Sequence, residues 1–202
     1  KLWKADTLDI EATLVGHTLG VRCVVATGKD NPMLVSSCDN TINIWNLKTY
    51  QEICNLVGHE GSVNSVAVND DKKHIISGDD DGIVRLWCFH TGKLISCFEG
   101  HTDRISCVAL LSDGLRAVSA SYDKSVRVWR LASPNMGQER SSDYFVDISD
   151  IALSSDGCMC VSASKDDTVK IWKCDTIEQC ITWRGNGKWV ISVAISADDR
   201  YF

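Results

Sequence analysis

The sequence predicts an all-β fold assembled from repeated four-stranded sheets, and three observations predict it. Tryptophans recur at Trp3, Trp45, Trp87, Trp129 and Trp172, with spacings of 42, 42, 42 and 43 residues. Gly-His pairs recur at Gly16-His17, Gly58-His59 and Gly100-His101 with the same step of 42, each His standing 28 residues ahead of a Trp. Between these markers lie short Val- and Ile-rich runs divided by Asp-, Asn-, Gly- and Ser-rich turn signals. A fixed period of this length marks units that cannot bury their apolar faces alone and stack on their neighbours.

The unit from 58 to 99 shows the elements in order. "SVNSVAV", "HIISG" and "GIVRLW" are three strands, divided by the turns "NDDKK" and "DDDG", and "LISCFEGH" is a fourth strand running into the next Gly-His. The same order gives units at 16–57, 100–142 and 143–184, with partial units at 1–15 and 185–202. The stretch after Trp129 is weaker: Pro134 cannot donate to a ladder and 138–143 is polar, so 132–143 is expected to be an exposed edge or loop. Tyr144 falls where a His would stand, and Gly185-Asn186 takes the place of Gly-His in the last unit.

Composition narrows the function classes. The 202 residues carry a net charge of −6, which leaves no broad basic surface for a phosphate backbone, so nucleic acid is not an expected partner. No apolar run approaches the roughly 18 residues that a membrane span requires, so no membrane association is expected. The ten cysteines include no CxxC pair and no Cys/His set at zinc spacing; scattered free thiols suit a reducing cytosol or nucleus. "DDDG" lacks the remaining ligands of a calcium loop, and neither a metal nor a cofactor is expected.

The Gly-His start, the Ser-x-Asp element and the closing Trp resemble WD40 repeats, which implies a β-propeller. Four complete and two partial repeats are expected, an arc of a ring of about seven blades whose remainder lies outside this segment; seven at this period need about 300 residues. The tryptophans are followed by Asn46, Cys88, Arg130 and Lys173 rather than by the Asp that names the family. The resemblance further implies a hydrogen-bonded chain in each blade, linking the His, a Ser on the second strand, the turn Asp and the Trp. Mapped onto this sequence, the sets are His17, Ser37, Asp39 and Trp45; His101, Ser121, Asp123 and Trp129; and, without a His, Ser164, Asp166 and Trp172. The second repeat keeps His59, Asp81 and Trp87 but has Asp79 at the Ser position. Two flanking carboxylates predict that one turns to solvent or that His59 is protonated, with a weakened link costing about 1 kcal/mol.

The His, Asp and Ser sets also suggest a hydrolase triad, but they recur with a Trp in successive units and lack a nucleophile elbow, so no catalytic residue is expected. The resemblance implies a rigid, non-catalytic scaffold or sensor that binds a protein or peptide on its top face. The family's top-face positions fall on Gly20 and Arg22, Ser62 and Asn64, Arg104 and Ser106, Asp147 and Ser149, and Trp189 and Ile191, with Cys38, Asp80, Tyr122 and Lys165 just before the turn aspartates. Of these, Arg22, Asn64, Arg104, Tyr122, Lys165 and Trp189 are the expected partner contacts, since Arg and aromatic side chains dominate interface energies. Two rival readings are the regulatory propeller of a NACHT-like signalling NTPase, although no phosphate-binding GxxxxGK[ST] loop occurs in this segment, and a ubiquitin-ligase substrate receptor, whose WDxR element is absent.

Overall fold

A computed structural model describes residues 1–28, 31–69, 73–132, 136–143, 146–185 and 187–201. The described residues form four antiparallel four-stranded blades, each a meander in which sequential strands pair. The first blade comprises β3 (Val21–Thr27), β4 (Met33–Cys38), β5 (Thr41–Asn46) and β6 (Gln51–Val57). The second comprises β7 (Val63–Val68), β8 (His74–Asp79), β9 (Val84–Cys88) and β10 (Leu94–Phe98). The third comprises β11 (Ile105–Leu110), β12 (Arg116–Ser121), β13 (Ser125–Arg130) and β14 (Gly137–Asp143), and the fourth β15 (Ile148–Leu153), β16 (Met159–Ser164), β17 (Thr168–Lys173) and β18 (Gln179–Arg184). Ahead of them, β1 (Leu2–Trp3) and β2 (Ile10–Ala12) form a two-stranded sheet. No helix long and apolar enough to cross a membrane occurs among the described residues.

Stacking explains why the middle strands do not alternate. Residues of β8, β12 and β16 are buried on both faces, β8 and β12 because the second and third blades each lie between two others and β16 because the third blade and residues 187–193 cover the fourth. These strands therefore read as runs of Ile, Val, Ala and Ser. Three apolar clusters fill the spaces between blades. Val35, Ile42 and Ile44 meet Val63, Val66 and Trp87; Ile76, Leu86 and Phe98 meet Ile105, Val108 and Trp129; Val118 and Val126 meet Ile148, Ile151 and Trp172. The approach is close: a Cβ on Gly78 would run into the Ile105 side chain, so this place in β8 admits no side chain. The expected exposed edge or loop at 132–143 is an edge over 137–143, where β14 pairs with β13 as the outermost strand of the third blade. An outer strand is solvated, as in the wholly exposed β18, so polar residues do not oppose pairing there. Tyr144 lies outside the described residues.

The hydroxyl that joins His to Trp is not the expected one. In the third blade Trp129 Nε1 donates to Ser119 Oγ at 2.7 Å, and the same Oγ lies 2.7 Å from His101 Nε2. Equivalent indole bonds reach Ser36 from Trp45 (2.8 Å), Ser77 from Trp87 (2.8 Å) and Ser162 from Trp172 (2.9 Å). Register explains the correction from Ser37, Ser121 and Ser164. Trp129 sits opposite Ala117, and its same-face diagonal neighbour is Ser119, whereas Ser121 lies two residues further along. Ser121 instead donates to Asp103 O and Arg104 O and accepts the Asp123 N–H, and Ser164 likewise ties Asp147 O to the Asp166 N–H. Ser37 Oγ is buried without a hydrogen-bond partner among the described residues.

The aspartates also divide their roles. Asp123 Oδ2 accepts from His101 Nδ1 at 2.7 Å, held there by Ser125, whose N–H and Oγ both donate to Asp123 Oδ1. In the second blade Asp79 takes that role in place of the expected Asp81. Asp79 Oδ2 accepts from His59 Nδ1 at 2.7 Å and from Arg85 Nη1, while Oδ1 accepts the N–H groups of Asp81 and Ile83. The reason is Ile83, which replaces the hydroxyl of Ser125, so nothing folds Asp81 inward and its side chain is exposed. The expected weak link is therefore corrected: His59 keeps a carboxylate and still reaches Ser77 at 2.6 Å. In the first blade Cys38 pairs with Thr41 around a two-residue turn, which leaves Asp39 facing Ser62 of the next blade at 3.5 Å rather than His17. Asp166 caps its own turn through the Thr168 N–H and hydroxyl.

Burial holds the His59 and His101 imidazoles below their ordinary 6.5, against the pull of Asp79 and Asp123. Burial by itself raises the Asp79 and Asp123 carboxyls, but hydrogen bonds, foremost from the histidines, bring both below the ordinary 3.8. A group with a depressed folded pKa contributes stability above its unfolded value and loses that contribution as pH falls. The melting temperature is therefore expected to be flat between about pH 7 and 8, to decline below about 6.5 as the unfolded histidines take up protons, and to fall again below about 4 as the carboxyls do. Thermal melts across this range check it; a melting temperature constant down to about pH 5 would contradict the histidine contribution.

Candidate partner-binding face

The first strands of the four blades, β3, β7, β11 and β15, lie side by side, and each carries a register shift at its second residue. The residues skipped by the pairing are Arg22, Asn64, Ser106 and Ser149. Such a bulge leaves one residue out of the ladder and re-aims its side chain. Here the four equivalent bulges deliver their side chains to one concavity of about 170 Å³, whose wall is completed by Arg104, Ile105 and Tyr122. Ser106, Ser149 and Ile105 thus join the expected contacts; the sequence marks them only by their phase within the repeat.

All six expected contact residues fall on this face, and short interactions connect them in two groups. Arg22 Nη1 donates to Asn64 Oδ1 at 2.9 Å, and Asn64 Nδ2 donates to Asp80 Oδ1 at 2.7 Å and to Ile105 O at 2.9 Å. The second group alternates cations and rings. The Arg104 guanidinium lies 3.9 Å from the Tyr122 ring centroid, Lys165 Nζ lies 4.2 Å from the same centroid, and it lies 5.4 Å from the Trp189 ring. Lys165 also donates to Asp147 Oδ2 at 3.1 Å. Arg104 and Tyr122 line the concavity beside Arg22 and Asn64, which joins the groups.

Backbone bonds hold this face. The β8–β9, β12–β13 and β16–β17 tips are tied to the strand entering the same blade by Asp80 N–H to Ser62 O, Tyr122 N–H to Arg104 O and Lys165 N–H to Asp147 O, all at 3.0 to 3.1 Å. Residues 187–193 run along the fourth blade through the Gly187 N–H to Asp167, the Val190 N–H to Ser164 O and Ser192 Oγ to Asp150. That course brings Trp189 beside Lys165 while leaving it 68% exposed. Away from this face, the His, Asp and Ser sets have triad-like connections, but Ser77 and Ser119 are wholly buried and each accepts an indole N–H.

Comparison with curated proteins returns no match. The family model described as WD domain, G-beta repeat matches residues 9–46, 50–88, 92–130 and 141–173, each match closing at or just beyond a lock Trp. With most of its length matched in four successive copies and folded as four stacked blades, the chain belongs to the WD40 repeat family.

Proposed function

We propose that this chain is a non-catalytic docking module that binds a protein or peptide on the face bearing Arg22, Asn64, Arg104, Tyr122, Lys165 and Trp189. WD40 repeats generally mediate protein–protein interaction. The observation that carries the assignment to this face is the ladder in which Arg104, Tyr122, Lys165 and the exposed Trp189 stand within cation–π reach of one another. Arg and Trp anchors on a rigid scaffold need little ordering on binding, which favours affinity from few contacts. A hydrolytic role is disfavoured because Ser77 and Ser119 are sealed and bonded to their tryptophans. Ten free cysteines favour a reducing compartment.

Replacing Tyr122 and Trp189 together by Ala is expected to abolish capture of the partner in pull-downs while leaving the melting temperature within about 2 °C, since neither side chain is part of the three inter-blade clusters. Retention of the same captured proteins by the double variant would refute the assignment of this face.

A further inference from the structure

We infer that the concavity at the bulges is a dianion site that takes the phosphoryl group of a phosphorylated peptide. The inference rests on the docking reading and specifies the partner's chemistry. Charge is the first argument. The lining residues Arg22, Asn64, Arg104, Ser106, Tyr122 and Ser149 include two guanidiniums and no carboxylate, in a chain whose net charge is −6. Neither Arg22 nor Arg104 has a carboxylate partner among the described residues. Of the nearby acids on the rim, Asp147 is paired with Lys165 Nζ at 3.1 Å, and Asp80, whose Oδ1 accepts from Asn64 Nδ2 at 2.7 Å, stands outside the lining. A phosphomonoester carries about −1.5 to −2 near neutral pH, which two guanidiniums balance, whereas a single carboxylate would leave one of them unmatched.

Geometry is the second argument. Asn64 Oδ1 fixes one edge of Arg22 through Nη1 at 2.9 Å, which leaves that guanidinium's remaining N–H groups free to point inward. Arg104 is held at 3.9 Å from the Tyr122 centroid, so stacking steadies the cation without occupying its donors. Ser106 and Ser149 complete the polar lining, and Ser149 Oγ has no hydrogen-bond partner among the described residues. The concavity of about 170 Å³ has room for several waters of about 30 Å³ each, and so for a tetrahedral oxyanion. Two cations around one depression do not make the extended basic track that a nucleic acid requires.

The test titrates the whole chain with a capped tripeptide bearing a central phosphoserine between glycines, followed by backbone amide shifts in NMR. Matched peptides carry glutamate or unmodified serine. Saturable shifts at Ser106 and Ser149 are expected with the phosphoserine peptide, with the glutamate peptide weaker by about ten-fold or more and the serine peptide silent. Arg22→Gln and Arg104→Gln are each expected to weaken binding at least about ten-fold with unchanged melting, because both side chains are exposed. Equal binding of phosphoserine and glutamate, no saturable shift at the bulge serines, or unaltered affinity in both arginine variants would overturn the proposal. Phosphatase treatment of the captured partner separates the two readings. Capture that survives it but is lost with the Tyr122 and Trp189 substitutions leaves the docking face standing and removes the phosphoryl site.

Discussion

Asp79→Leu is expected to destabilise the chain by about 3–5 kcal/mol in urea unfolding, the range for removing one member of a buried ion pair. The carboxylate is fully buried and accepts four hydrogen bonds, from His59, Arg85 and the N–H groups of Asp81 and Ile83. Leucine would leave the nearly buried Arg85 guanidinium without its counter-charge and two turn N–H groups without an acceptor. The sibling blade suggests the rescue. In the third blade Ser121 occupies the equivalent of Asp79 and Ser125 that of Ile83, and Ser125 is what turns Asp123 toward His101. Asp79→Ser alone should therefore remain destabilised, because Asp81 lacks a hydroxyl to hold it inward. The double variant Asp79→Ser with Ile83→Ser is expected to recover at least about 1 kcal/mol of that loss as Asp81 takes over His59. Strict additivity of the two substitutions would show that they do not form a coupled pair.

Periodic markers made the architecture legible, because a propeller repeats its locks at the same step as its strands. The spacing carried the blades and their strand order, while details set by pairing stayed hidden. Ser36, Ser77, Ser119 and Ser162 are selected by lying diagonally across from a Trp, which depends on register. The first blade conceals more. Its β4–β5 turn is one residue shorter than the others, yet His17 still precedes Trp45 by 28 residues because the segment from His17 to Ser36 is one residue longer, 19 against 18 in its neighbours. Two opposite changes cancel in the count, and Asp39 looks like a lock residue though its carboxylate faces Ser62. The bulges were equally silent, since a skipped residue leaves the composition of a strand unchanged. Polar 137–143 left edge and loop open for a different reason: an outer strand is held by its ladder and needs no apolar face, so composition does not separate the two.

Trp129→Ala is expected to cost about 3–5 kcal/mol, with a loss of cooperativity as its distinguishing sign. The ring is 1% exposed and lies in the cluster that joins the second and third blades, tilted against Phe98 at 5.6 Å and edge-on to His101 at 5.9 Å. Removing it opens a cavity between blades and leaves Ser119 without its indole donor. Trp129→Phe separates these effects, since it keeps most of the packing but deletes Nε1, and a cost of about 1–3 kcal/mol is expected. Trp45 offers the contrast within the same chain. It lines a groove with Leu2, Leu14, Val21 and Val24 and belongs to none of the three clusters, so Trp45→Ala should disturb one blade rather than a junction. In a stacked array the stability of the whole is carried by neighbour-to-neighbour interfaces, so weakening the junction at Trp129 should let the two sides unfold separately. Fluorescence and circular dichroism transitions in urea are expected to part for Trp129→Ala and to coincide for Trp45→Ala. Coincident transitions with an unchanged slope in Trp129→Ala would mean that the junction is held by the surrounding Ile, Val and Leu side chains, with the Trp serving its own blade alone.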